Sequence, residues 1–303
     1  MSSAAPADAR RAALEGHGAM LLFSALVAGS FPLGAAAAND IAPAALNAAR
    51  FWLAAAIVGA GVWATGGVPR AALRAPWRYV ALGGIFAIYF VLMFEGLKTA
   101  PPVGAAAVFT LTPILAAGFG WLMLRQRTTP RIAAALALGA AGALWVIFRG
   151  DPAALLAFEL GRGEAIYFVG CVAHAFYTPL VRRLNRGERA AVFTFGTVVA
   201  AAICVTLAGW PAIAATDWAT LPPRVWVAIG YTAVFASAAT FTLLQFASLR
   251  LPASKVMAYT YLVPAWVVAW GLALGQPAPP AIVGVGTALT LLALALLLGE
   301  DEG

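Results

Sequence analysis

Apolar runs of about twenty residues recur along this 303-residue chain, and short connections between them hold most of the charge. A helix that crosses a hydrocarbon layer needs roughly 20 apolar residues at about 1.5 Å each. Ten stretches reach or approach that length: 17–38, 43–64, 77–97, 101–124, 132–148, 163–180, 190–208, 225–249, 253–274 and 281–298. Asn39-Asp40, Gly66-Gly67, Gly150-Asp151-Pro152 and Pro222-Pro223 mark turns or boundaries between them. The pattern predicts an all-α membrane protein of ten transmembrane helices.

Composition agrees: 63% of the residues are hydrophobic and 10% charged, more apolar surface than one soluble core buries. The first run follows Arg10 and Arg11 and ends in alanines 35–38, the outline of a cleavable secretory signal. It is long enough to span, and it has a counterpart later in the chain, so it is read as the first helix. Cys171 and Cys204 both lie inside apolar runs and are read as small buried residues, not as a disulfide. The net charge of +7 does not point to nucleic acid, because the basic residues sit in short clusters and form no continuous face.

Residues 96–132 are written twice. GLKTAPPVGAAAVFTLTPILAAGFGWLMLRQRTTPRI is echoed from Ser248 by SLRLPASKVMAYTYLVPAWVVAWGLALGQPAPPAI. Lys98 answers to Arg250, Pro101 to Pro252, Pro113 to Pro264, Gln126 to Gln276 and Pro130 to Pro280, with an offset that drifts only from 152 to 150. Gly16 and Pro32 recur as Gly163 and Pro179 at an offset of 147. The chain thus divides into two five-helix repeats, residues 1–150 and 151–303.

Alternate connections differ sharply in lysine and arginine. With the N-terminus cytoplasmic, fourteen basic residues fall inside and four outside (Lys98, Arg149, Arg162 and Arg224), while Arg50 lies within the second helix. Basic loops are retained in the cytoplasm, so both termini are placed there, in a multi-pass protein of a bacterial-type inner membrane. An odd number of spans per half turns the second repeat upside down relative to the first, with a pseudo-two-fold axis in the membrane plane.

Ten helices, a five-plus-five inverted repeat and a duplicated block of basic residue, helix-interior proline and Gln-x-x-x-Pro resemble the drug/metabolite transporter superfamily with its paired EamA-type repeats. The resemblance covers residues 16–298. Gln126 and Gln276 stand where an acidic residue is often found in the family. The resemblance implies export of small metabolites by alternating access, and for the branch it is most similar to, aromatic and other neutral amino acids.

The residues themselves suggest where a substrate would sit. Pro113 and Pro264 each lie 12 residues beyond the proline that opens their helix, about 18 Å along the axis and near the bilayer midplane. An interior proline removes one backbone hydrogen bond, which leaves the carbonyls of Phe109 and Thr260 for water, protein or ligand. Pro32 and Pro179 are expected as the matching breaks of the first and sixth helices. His174 lies about 16 Å into the sixth helix, and Tyr167, Gly170, His174 and Tyr177 share one face at i, i+3, i+7 and i+10. An ionisable group at that depth marks either a functional site or a neutral imidazole bonded across a packed interface.

Tyr259 and Trp266 bracket Pro264, and Phe86, Tyr89 and Met93 line a face of the third helix, so aromatic walls are expected around the midplane. Such walls accept flat or apolar side chains and hold an ammonium by cation–π attraction. Thr110, Ser237, Thr240 and Gln245 are polar enough to bond a zwitterion or to bond across helices. The expected substrate-binding set is His174, Tyr177, Tyr167, Tyr89, Tyr259, Trp266, Thr110, Ser237 and Gln245. Arg50, about 10 Å into its helix, is expected to snorkel to the outer interface in slight preference to binding a substrate carboxylate.

No cofactor or metal is called for, and the expected partners are the lipid bilayer and a small-molecule substrate, with a monomer one workable state. An intramembrane enzyme would need a nucleophile with its base, paired aspartates or HExxH, and none is present. A channel would need a continuous polar lining, which alanine-rich helices do not offer. A carrier of drugs, nucleosides or other metabolites shares every feature except the aromatic walls. No Asp or Glu falls near a helix midpoint, which points to facilitated export or exchange before strong proton coupling, with His174 the one candidate for an exception.

Overall fold

A computed structural model describes residues 4–127, 129–157 and 160–298. Among these residues ten helices are long and apolar enough to cross a membrane: α1 (Arg11–Ala37), α2 (Pro43–Ala64), α3 (Trp77–Gly96), α4 (Pro102–Leu124), α5 (Pro130–Ile147), α6 (Arg162–Leu184), α7 (Ala190–Ala214), α8 (Pro223–Ser248), α9 (Lys255–Ala273) and α10 (Ala281–Leu298). Proline opens the first turn of α2, α4, α5 and α8, where its missing N–H has no helical partner to lose. The apolar runs give α2 and α10 their bounds, whereas α6 and α7 run past the C-terminal ends of theirs by four and six residues. Helical hydrogen bonding continues through Arg182 and Arg183 in α6, and through Pro211 in α7.

The packing repeats when each helix is exchanged for the one five further on. Helix α3 packs on α6 as α8 packs on α1, α4 meets α6 as α9 meets α1, and α2–α7, α4–α9 and α5–α10 are self-matched pairs. In the last pair Gly142 and Gly286 approach reciprocally: a Cβ on either would lie 2.7 Å from the carbonyl oxygen of the other. Consecutive crossing alternates direction, so each helix runs opposite to its counterpart.

Three of the four expected proline breaks interrupt their helices. In α1 the interruption is at Gly29, three residues before Pro32. In α4 it separates Pro102–Phe109 from Thr112–Leu124, and in α9 a 3₁₀ turn, Tyr259–Leu262, precedes Pro264. Pro179 departs from the expectation, because α6 runs uninterrupted through it. An unforeseen irregularity lies in α8, where Val234–Ala239 widen into a π-helical segment.

Each end of the bundle carries an ion pair that joins the two halves. At the arginine-rich end, Arg78 Nη2 lies 2.6 Å from Glu188 Oε1, with both side chains buried. The same guanidinium donates to the carbonyls of Leu184 at 2.6 Å and of Arg74 and Ala75 at 3.3 Å. At the opposite end Arg224, on the first turn of α8, donates from Nε and Nη2 to the two carboxylate oxygens of Asp40, at 2.5 and 2.8 Å. Hydrogen bonds from Arg224 hold the Asp40 carboxyl below its ordinary range. Burial works to raise Glu188, but hydrogen bonds from Arg78 and from the backbone N–H of Arg186 outweigh it, and the net direction is down.

A carboxylate held low in the folded state stabilises fully above its ordinary value, and the contribution fades as pH falls through the depressed one. Removing one partner of a buried pair leaves an uncompensated charge. Glu188→Gln is therefore expected to lower unfolding stability in detergent by about 3 kcal/mol and to flatten the acid limb of stability against pH. Asp40→Asn, at an exposed pair, leaves the thermal midpoint within error.

Candidate functional site

An interior built from aromatic rings lies between the halves. The face of α6 predicted from spacing, Tyr167, His174 and Tyr177, meets Phe86, Tyr89 and Phe90 of α3, Phe109 at the α4 break and Phe241 of α8. His174 stacks 4.4 Å from Tyr89 and 5.5 Å from Phe86, and Phe86 stacks 4.3 Å from Tyr177 at an interplanar angle of 15°. Tyr89 and Tyr167 share a hydroxyl hydrogen bond of 3.0 Å, and Gln245 Nε2 donates to the Tyr177 hydroxyl at 2.9 Å. All of these side chains are buried.

The polar groups inside this cluster are incompletely satisfied. Among the described residues neither ring nitrogen of His174 has a hydrogen-bond partner, nor does Gln245 Oε1. A buried donor or acceptor left unmade costs about 1–3 kcal/mol, so packing alone is a poor reason to place an imidazole here. An apolar ring of the same shape would fill the stack without that cost.

Arg50 overturns the expectation that it snorkels. It is fully buried, donating from Nε to Ser237 Oγ and from Nη2 to the Ala236 carbonyl, both at 2.6 Å. Both acceptors lie in the π-helical segment of α8, where the widened turn releases backbone carbonyls from the regular ladder. The guanidinium also lies over Phe90, 3.7 Å from the ring centroid. Sequence reasoning missed this role because a depth of about 10 Å suits both an interface and an interior. The available signal was Asn47, one turn earlier: two polar residues at i and i+3 on an otherwise apolar helix imply a face turned towards protein.

The remaining expected site residues are dispersed. Ser237 serves Arg50, and Thr110 donates to the carbonyl of Ala107 within its own helix at 2.6 Å. Tyr259 meets His17 of α1 at 3.1 Å. Trp266 is 38% exposed and donates to Ser24 on α1, so it lies on the α1–α9 seam and not in the stack. The carbonyls expected to be freed by proline are occupied. Phe109 O accepts from the Thr112 hydroxyl at 2.7 Å, and Thr260 O accepts from the N–H of Val263. The two breaks touch through the Thr112 and Thr260 hydroxyls, 3.3 Å apart.

At the end opposite the arginine-rich loops a polar cavity of about 410 Å³ is lined by Thr99, Arg149, Asp151, Arg162 and Glu164 among others. Glu164 stands three residues before Tyr167 on α6, so the cavity floor is about one helical turn above the aromatic cluster.

Comparison with known proteins gives this architecture a family. The model of the EamA-like transporter family matches residues 14–148 and again 161–299. The chain is 28% identical to the uncharacterized transporter YyaM of Bacillus subtilis over 261 residues, 85% of each chain. It is 31% identical to the aromatic amino acid exporter YddG of Ancylobacter novellus over 209 residues, 66% of this chain and 70% of that one. A crystal structure at 23% identity superposes with a TM-score of 0.72 over 97% of this chain and 99% of the other, a likeness of fold. Ten helices in two matched sets of five, each set answering to the same family model, establish that the chain is a membrane transporter of the EamA-like family, within the drug/metabolite transporter superfamily.

Proposed function

We propose that this transporter exports aromatic and other neutral amino acids from the cytoplasm across a bacterial inner membrane, with both termini cytoplasmic. The observation that carries the reading is the stack of Phe86, Tyr89, His174 and Tyr177, whose imidazole nitrogens have no partner among the described residues. Ring faces pack against flat side chains and attract an ammonium, and rings now 4.3–4.4 Å apart must separate to admit one. The name of the Ancylobacter relative supports the same substrate class. The ion pairs at the two ends serve as alternate gates: the Arg78–Glu188 end opens to load substrate, and the Arg224–Asp40 end opens towards the polar cavity to release it. Among the described residues no carboxylate enters the cluster, which favours facilitated export or exchange over proton coupling.

Purified protein in liposomes is expected to carry labelled Phe, Tyr, Thr or Met faster than empty vesicles, with His174→Ala slowing the rate at least about tenfold. No carriage of any of the four would remove the amino-acid reading and leave another metabolite of the same superfamily.

Stability separates the role of His174 from a packing role. His174→Phe keeps a ring in the stack and removes two unpartnered nitrogens, so its thermal midpoint should rise while transport falls. A lowered midpoint with transport retained would assign the imidazole to folding.

A further inference from the structure

The cation at the edge of the aromatic cluster has no counter-ion among the described residues. Arg50 is fully buried, yet no carboxylate among the described residues pairs with it. Asp40 is bound to Arg224, Glu188 to Arg78, Glu95 to Lys98 and Glu15 to Arg11. A guanidinium stays charged in any protein environment, and a buried charge without an opposite one is strongly disfavoured. Two of its nitrogens are used on the π-helical segment of α8; the third, Nη1, has no partner among the described residues.

One turn earlier on the same face, Asn47 uses its Nδ2 on the carbonyls of Pro43 at 2.8 Å and Phe90 at 3.3 Å, while its Oδ1 has no partner. An unpaired cationic donor and an unpaired neutral acceptor thus stand at i and i+3, both against Phe90. The Phe90 ring lies 4.4 Å from Tyr89, and Tyr89 lies 4.4 Å from His174, so the pair continues into the stack.

We propose that Arg50 binds the carboxylate of the transported molecule through Nη1, and that Asn47 Oδ1 accepts from its ammonium, so that α2 recognises the zwitterion while the aromatic stack takes the side chain. The proposal rests on the amino-acid reading above and adds to it the residues that select for the head group. The Ser237 and Ala236 contacts hold the guanidinium in place, and the bound carboxylate completes its coordination. A site built around a charged donor rejects a ligand that lacks the matching group more strongly than an apolar pocket rejects a missing methylene.

The test is competition against labelled phenylalanine uptake in proteoliposomes. Phenylalaninamide and phenethylamine, which lack the carboxylate, should compete at least about tenfold more weakly than phenylalanine, and 3-phenylpropionate should keep measurable competition. Arg50→Gln should erase the difference between acid and amide, and Arg50→Lys should restore part of it. Equal competition by acid and amide in the wild type overturns the assignment while leaving amino-acid export intact. A loss of thermal midpoint and transport together in Arg50→Gln, with the acid–amide preference of any residual uptake unchanged, reduces Arg50 to a stitch between α2 and α8. If the wild type carries no phenylalanine, the amino-acid reading fails by itself. The assignment is then judged by whether 3-phenylpropionate raises the thermal midpoint of the wild type and not of Arg50→Gln; no shift, or an equal one, overturns it.

Discussion

Hydrocarbon cannot hydrogen-bond, so every backbone polar group in a span must find its partner inside the protein. That constraint makes all ten spans helical, and it also governs how their irregularities are repaired. Where Pro113 removes a bond in α4, Thr112 reaches back to the Phe109 carbonyl. Where Pro264 does the same in α9, no hydroxyl precedes the proline, and a 3₁₀ turn supplies the Val263 N–H instead. In α8 the widened turn leaves the Ala236 carbonyl to a side chain, and Arg50 takes it. Backbone repair therefore brings a cation into the bundle interior, and the chemistry of the candidate site follows from it.

The two halves divide the work unequally despite their common pattern. The aromatic face of α6 has its partner on α3, while the symmetry-related contact, α8 on α1, brings in Tyr231, which donates to the Leu26 carbonyl near the α1 break. The polar network around Arg50 joins α2 of one half to α8 of the other. A ligand held there touches both halves, which is what rocking of one half against the other requires of a transport site. The end ion pairs likewise take one residue from each half, so separating the halves at either end breaks the pair there.

Much of the fold was legible because membrane helices write their length directly into hydropathy. The bounds of α2 and α10 could be taken from apolar runs alone, and the offset between repeats fixed their pairing. The shared face of Tyr167, His174 and Tyr177 was legible too, since helical periodicity places them together whatever they pack against. Partners were not legible. Trp266 occupies the depth expected of a cavity wall, yet it points to the α1 seam, because azimuth around a helix that is apolar on all sides leaves no mark in composition. Arg78, on the first turn of α3, and Glu188, in the connection between α6 and α7, are 110 residues apart and share no periodic pattern, so nothing in the chain announced their pair. Pro179 failed as a break because residues on both sides keep helical hydrogen bonds and absorb the loss of one.

In the proposed transport cycle the halves part at the Arg224–Asp40 end for substrate to leave the aromatic cluster. Cysteines introduced as Asp40→Cys and Arg224→Cys, in a chain carrying Cys171→Ser and Cys204→Ser, allow that end to be tied with a short reducible cross-linker. Transport in liposomes should stop when the link forms and return when it is reduced. Full-rate transport by the linked protein would contradict the account.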